Sequence, residues 1–180
     1  MFTEQEIKMA NATSRSSGAS ALNKDGSIRA IVPKYVREHM DRADEILDFG
    51  AGKDAVHTKW LRSEGFNVVA YDFGDNCIDG IHDRNALNKQ YKVIMASNVI
   101  NVCSSLNMLI TTLRQMYDSL KPGGCLVINY PASPRKTVLN AMEVSMILYN
   151  IFHGVIQMVG GTKSAPLWLV VKPNEEIHIL

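Results

Sequence analysis

The sequence predicts an α/β fold, a three-layer sandwich whose mostly parallel sheet ends in a C-terminal antiparallel hairpin strand. Three observations carry this. Strand-like and helix-like runs alternate from residue 28 onward, the pattern of βαβ units. The strand-like runs are continuously apolar rather than alternating, so the sheet is covered on both faces. The last two runs, 155–159 and 167–171, are joined by a Gly-rich connection and read as a hairpin at one edge.

Each element follows from its residues. Ile31, Val32, Tyr35, Val36 and Met40 share one helix face, with Pro33 tolerated in the first turn. Glu45 to Phe49 is a short buried strand running into Gly50-Ala51-Gly52. Asp54 to Glu64 is a helix with Ala55, Val56, Trp60 and Leu61 inward, Asp54 suited to its N-cap and Gly65 as its stop. Asn67 to Asp72 is the second strand. Between Phe73 and Gln90 the chain is rich in Asp, Asn and Gly, and Ile78 or Ile81 marks a candidate short strand. Tyr91 to Ala96 is a strand. Ser105 to Leu120 is a helix with its stripe on Leu106, Leu109, Ile110, Leu113, Met116, Tyr117 and Leu120. Lys121 to Gly124 is a turn, 125–130 a strand, and Thr137 to Phe152 a long helix. Residues 1–27 show no period and read as a flexible N-terminal leader or a lid over a ligand. Residues 28–180 then form a single domain.

Composition narrows the class. At 180 residues, 46% hydrophobic and 21% charged, the chain holds one domain with its own core. Nineteen basic residues against eighteen acidic, a net charge of +1, exclude a strongly basic nucleic-acid binder as a whole-chain description. Cys77, Cys103 and Cys125 include no C-x-x-C pair, which argues against a disulfide framework or a zinc site and for a reducing compartment. The N-terminus has no signal-peptide pattern, and no run approaches about 18 apolar residues. A cytoplasmic protein without metal or membrane contact is expected.

The run Asp48-Phe49-Gly50-Ala51-Gly52-Lys53-Asp54-Ala55 joins a strand to a helix. Glycines let the backbone turn sharply and approach a ligand, and the helix N-terminus offers unpaired N–H groups. Read strictly it is G-x-G-x-x-A, a pattern of dinucleotide-binding folds. Asp72 ends the next strand, 22 residues after Gly50, where a carboxylate can accept from two ribose hydroxyls. Phe73 is placed to pack on a purine face, or in the core.

With Val69 to Asp72, the stretch Tyr91 to Ile100, and Leu120-Lys121-Pro122-Gly123-Gly124-Cys125 to Ile128 in order, the chain resembles a class I S-adenosylmethionine-dependent methyltransferase, a Rossmann-like family. The resemblance covers about half of the chain directly. It implies S-adenosyl-L-methionine as cofactor, with Asp48, Gly50, Ala51 and Gly52 about its methionine part and Asp72 and Phe73 about the ribose and adenine. Asp83 and Arg84 fall near the adenine amino group, Ala86 or Leu87 on the ring, and Ser97 and Asn98 at the substrate mouth. The sequence departs from the family at Asp54, where a third glycine is frequent, and at Lys92, where an acidic residue is usual.

Methyl transfer from a sulfonium asks mainly for placement of a nucleophile. Candidate catalytic residues are His57, Asn98 and Tyr130, with His82 and Asp83 as further candidate bases and His153 as a helix cap or surface group. Asn129-Tyr130-Pro131 is similar to the Asn-Pro-Pro-Tyr motif of amino-methylating enzymes but sits one strand late. Arg15, Lys24, Arg29, Lys34 and Arg37 make a basic segment able to meet a phosphate-bearing acceptor, nucleic acid included. Residues 177–180 are an edge strand or a contact to a partner such as a second copy. The acceptor stays open: a small molecule, or an exposed nucleotide or protein group. The rival readings are a non-catalytic S-adenosylmethionine-binding protein and a nicotinamide-dependent oxidoreductase.

Overall fold

The computed structural model describes residues 2–18, 23 and 25–174, without the side chains of 14–18. Its elements are α1 (Glu4–Gly18), α2 (Ile31–His39), β1 (Glu45–Phe49), α3 (Val56–Ser63), β2 (Asn67–Tyr71), β3 (Tyr91–Ala96), α4 (Leu106–Asp118), β4 (Leu120–Asn129), α5 (Ala141–Phe152), β5 (Ile156–Thr162) and β6 (Ala165–Val171). The six strands form one sheet in the order β2-β1-β3-β4-β6-β5. The first four are parallel, and β6 runs antiparallel to both β4 and β5. The expected three-layer sandwich with its closing hairpin is therefore present.

Strand side chains alternate between two cores. Ile46, Val93, Met95 and Val127 pack with Val32 and Val36 of α2 and Leu61 of α3. Leu47, Phe49, Ile94, Ala96, Leu126 and Ile128 pack with Leu109, Leu113 and Met116 of α4 and Val144 and Leu148 of α5. The chain leaves β1 for β2 on one side and returns past β1 to β3 on the other. The carboxyl ends of β1 and β3 thus diverge, leaving a crevice at the point where ligands settle in such sheets.

Several expectations are corrected. Of the segment 1–27, read as a flexible leader or a lid, residues Glu4–Gly18 form α1. Thr3 and Glu6 form a capping box, Glu6 N–H donating to Thr3 Oγ1 at 3.2 Å and Thr3 N–H to Glu6 Oε2 at 2.9 Å. No strand forms at Ile78 or Ile81; single 3-10 turns at Gly74–Asn76 and Ala86–Asn88 occupy that stretch. Asp54 does not cap α3, because Ala55 takes the N-cap position in the left-handed region, φ 43°. The turn at 121–124 lies inside β4 as a bulge, and Lys92 Nζ donates to the Gly123 carbonyl at 2.8 Å, giving that lysine a structural task. The last long helix starts at Ala141, four residues later than expected, where Asn140 and Glu143 make a capping box. Leu106, read as part of the α4 stripe, is exposed, and Met108 is buried instead. No helix among the described residues is long and apolar enough to cross a membrane. The segment 177–180 lies outside the described residues.

Candidate functional site

The crevice holds a cavity of about 490 Å³, lined by the loop from Gly50 to Val56, by His57, by Asp72, Phe73 and Asn76 past β2, by Ser97 to Val99 past β3, by Arg29, and by Ala10 and Asn11 of α1. That volume lies within the usual range for small-molecule sites, roughly 300–1,000 Å³.

The loop owes its shape to Gly50. Its φ is +74°, and a Cβ there would stand 2.7 Å from Val99 Cγ2. Asp72 holds the loop from the far side: Gly52 N–H donates to its Oδ2 at 2.7 Å and Phe73 N–H to its Oδ1 at 2.8 Å. Burial raises the Asp72 pKa above the ordinary value, and these two donors oppose the rise. Each carboxylate oxygen keeps a further lone pair for a ligand hydroxyl.

His82 is the second tie. Its Nδ1 accepts from Ile78 N–H at 3.0 Å, so the proton belongs on Nε2, which reaches the Gly52 carbonyl at 2.9 Å. Both nitrogens are engaged with backbone, which makes His82 a clamp between two loops rather than a base.

Asp48 lies beneath the loop and off the cavity. Thr58 Oγ1 donates to its Oδ2 at 2.7 Å, and burial pushes its carboxyl up to about 7. Asp83 and Arg84 also stand away from the cavity. Asp83 Oδ1 accepts from Asn85 N–H, and Arg84 pairs with Asp79 at 2.8 Å. Ala86 is buried in the core, and Leu87 packs against it. Tyr130 is buried, its hydroxyl donating to the Leu139 carbonyl at 2.6 Å. His153 caps the C-terminus of α5. Of the basic segment, Arg29 reaches the cavity, and Arg37 pairs with Glu64 at 3.0 Å. Lys24 and the Arg15 side chain lie outside the described residues.

The structure therefore brings together Gly50, Ala51, Gly52, Asp72, Phe73, Ser97, Asn98 and His57. It adds Asn76 and Asn11, which carried no motif, and behind the lining Asn129 of the Asn129-Tyr130-Pro131 run, which bonds to Asn98. Among the described residues, three buried polar atoms of the lining lack a hydrogen-bond partner: His57 Nε2, Asn76 Oδ1 and Ser97 Oγ. Such atoms are costly to leave unpaired and mark where a ligand would bond. Burial lowers the His57 pKa to about 4, so the ring is neutral near pH 7.

Helix α1 covers one side of the cavity. A Cβ on Gly74 would meet Asn11 Nδ2 and Ile7 Cγ2 at 2.5 Å, so the helix seats directly on that turn. Ser105 Oγ donates to Glu6 Oε1 at 2.5 Å, and the Phe2 and Phe73 rings lie 5.5 Å apart.

Comparison with known proteins agrees with this geometry. A family model described as a methyltransferase domain matches residues 17–162. No curated protein matches in sequence. Among solved structures, a TehB-like S-adenosylmethionine-dependent methyltransferase from Corynebacterium glutamicum superposes with a TM-score of 0.65 at 13% identity, covering 94% of this chain and 100% of that one. The N-methyltransferase NodS from Bradyrhizobium japonicum, with S-adenosylhomocysteine bound, gives 0.60 at 15% identity, covering 93% and 100%. A 1,6-didemethyltoxoflavin N1-methyltransferase from Burkholderia thailandensis, with substrate and S-adenosylhomocysteine, gives 0.60 at 17%, covering 95% and 89%. At these identities the structural likeness speaks for the fold.

Proposed function

The chain belongs to the methyltransferase domain family, and from that premise we propose that it transfers the methyl group of S-adenosylmethionine to an acceptor bound beside Ser97, Asn98 and His57. The observation that carries the reading is the cavity itself. A glycine loop, a strand-end carboxylate and three unpartnered buried polar atoms meet at the switch point of a parallel sheet.

The residues present fit the cofactor. Asp72, already holding the loop, would accept from the ribose hydroxyls. Phe73 would border the purine, and Asn76 Oδ1 would take a donor from the adenosine part. The backbone about Gly50 to Gly52, with Arg29 at the cavity wall, would face the methionine part. When bound, S-adenosylmethionine supplies an electrophilic methyl on a sulfonium. The protein's task is then to exclude water and to hold a nucleophile in line.

His57 has a pKa far below working pH, which makes it a poor general base near neutrality. Its free Nε2 serves to orient the acceptor by hydrogen bonding. Helix α1 serves as the cover of the site, tied down by Glu6 and Ser105. The three thiols, all free, support a cytoplasmic setting.

The direct test is turnover: release of S-adenosylhomocysteine from S-adenosylmethionine across an acceptor panel of amines, phenols, nucleotides and peptides. Product with any acceptor supports the enzyme. Adenosyl binding with no release across the panel favours a non-catalytic binding protein. Binding of NAD in preference to either adenosyl ligand would favour the oxidoreductase reading.

A further inference from the structure

The hydrogen-bond polarity of the crevice is written in a pair of asparagines. Asn98 lines the cavity with φ 56°, a left-handed conformation that asparagine tolerates. Asn129, at the end of the neighbouring strand β4, makes two bonds to it. Asn98 backbone N–H donates to Asn129 Oδ1 at 2.8 Å, and Asn129 Nδ2 donates to Asn98 Oδ1 at 2.9 Å.

The amide orientations follow by elimination. A backbone N–H can only donate, so the Asn129 atom facing it is the oxygen. The other Asn129 atom is then the NH2 group, which can only donate. The Asn98 atom it meets is therefore that residue's oxygen. The Asn98 oxygen is thereby turned toward Asn129, and the opposite end of the amide is its Nδ2, a two-proton donor with no other hydrogen bond among the described residues.

We infer that Asn129 is a positioning residue that fixes Asn98 as a hydrogen-bond donor, so that the ligand group seated there carries an oxygen lone pair: a carbonyl, carboxylate or phosphoryl oxygen. A group bringing only N–H bonds would meet like polarity at Nδ2 and be disfavoured there. This rests on the methyltransferase reading for what the ligand is. The oxygen has two candidate sources, the methionine carboxylate of the cofactor or the acceptor substrate.

The experiment reads the Asn98 side-chain NH2 resonances of the full chain by NMR. S-adenosylhomocysteine, 5′-methylthioadenosine (which lacks the carboxylate), acetophenone (acceptor only) and indole (N–H donor only) are titrated in turn. The last two are added with and without S-adenosylhomocysteine. A shift with S-adenosylhomocysteine but not methylthioadenosine assigns the oxygen to the cofactor. A shift with acetophenone on the S-adenosylhomocysteine complex assigns it to the acceptor. Acetophenone should be preferred over indole by about tenfold, the worth of one matched hydrogen bond. In Asn129→Ala that preference should fall toward parity, an effect that mere loss of stability would not produce. Asn129→Asp keeps the acceptor for the Asn98 N–H and serves if the alanine variant does not fold. Equal shifts with indole, no shift with any probe, or an unchanged preference in both variants would overturn the inference. Failure of S-adenosylhomocysteine to bind by calorimetry, with the acetophenone preference intact, would instead overturn the methyltransferase reading and leave the asparagine pair standing.

Discussion

Replacing Asp48 by asparagine should change the pH dependence of stability more than the stability of the fold at acid pH. Asp48 is buried under the glycine loop, accepts from Thr58, and has its pKa raised by burial from the ordinary 3.8 to about 7. Below about pH 3.8 the carboxyl is protonated in both folded and unfolded chains and contributes no pH-dependent term. As pH rises toward 7 the unfolded chain ionises while the folded chain keeps its proton. The folded state then binds more protons, so stability falls with pH over that window and levels off above it. The displacement to about 7 corresponds to at most about 4 kcal/mol, at about 1.36 kcal/mol per pH unit. The amide of the Asp48→Asn variant cannot ionise, so the variant's stability should differ from the wild type's by less than about 1 kcal/mol near about pH 4 and exceed it by up to that larger amount near about pH 8. Asp72 is also raised by burial, so a smaller slope of the same sign should persist in the variant. Urea denaturation at pH steps from about 4 to about 8 reads both curves. Parallel pH profiles for the two chains would refute the reasoning.

Further outcomes follow from the same geometry. Gly50→Ala should cost about 1–2 kcal/mol for the left-handed backbone alone and more for overlap with Val99; the double variant with Val99→Ala should recover the overlap part in thermal denaturation. His82→Ala removes the Nε2 bond to the Gly52 carbonyl, which ties the 78–82 turn to the glycine loop, and the Ile78 bond that orients the ring, so hydrogen exchange at the amides around Gly52 should accelerate; unchanged protection would deny the clamp. Asp72→Ala should weaken adenosyl binding by roughly 1–3 kcal/mol, read by calorimetry, and equal affinity would remove it from the site. Glu6→Gln weakens the tie to Ser105 and should raise the dissociation rate of an adenosyl ligand if α1 covers the site; an unchanged rate would deny that role.

The inner strands were legible because they are largely apolar runs, closed by Gly50 after β1, Asp72 after β2 and Asn129 at the end of β4. The site loop was legible because glycines and Asp72 fall at spacings set by one βαβ unit. Three things hid from the sequence, each for a physical reason. Helix α1 carries little apolar periodicity and is set by a capping box, Thr3 with Glu6, and by seating on Gly74. Ala55 displaces Asp54 at the start of α3 because the loop enters that helix through a left-handed residue, which no spacing rule shows. The roles of Asp48, His82 and Asn129 depend on which backbone groups need a partner once the loops are packed. The family resemblance assigned Asp48 and residue type assigned His82 to the chemistry, and the hydrogen bonds give both a part in the scaffold.

One measurement bears most directly on the central claim that this cavity is an adenosyl site: calorimetric titration of the whole chain with S-adenosylhomocysteine, repeated on Asp72→Ala. One site per chain is expected, weakened in the variant, with no competing heat from NAD. A folded wild-type chain that gives no binding heat and no change in melting temperature with S-adenosylhomocysteine would contradict it.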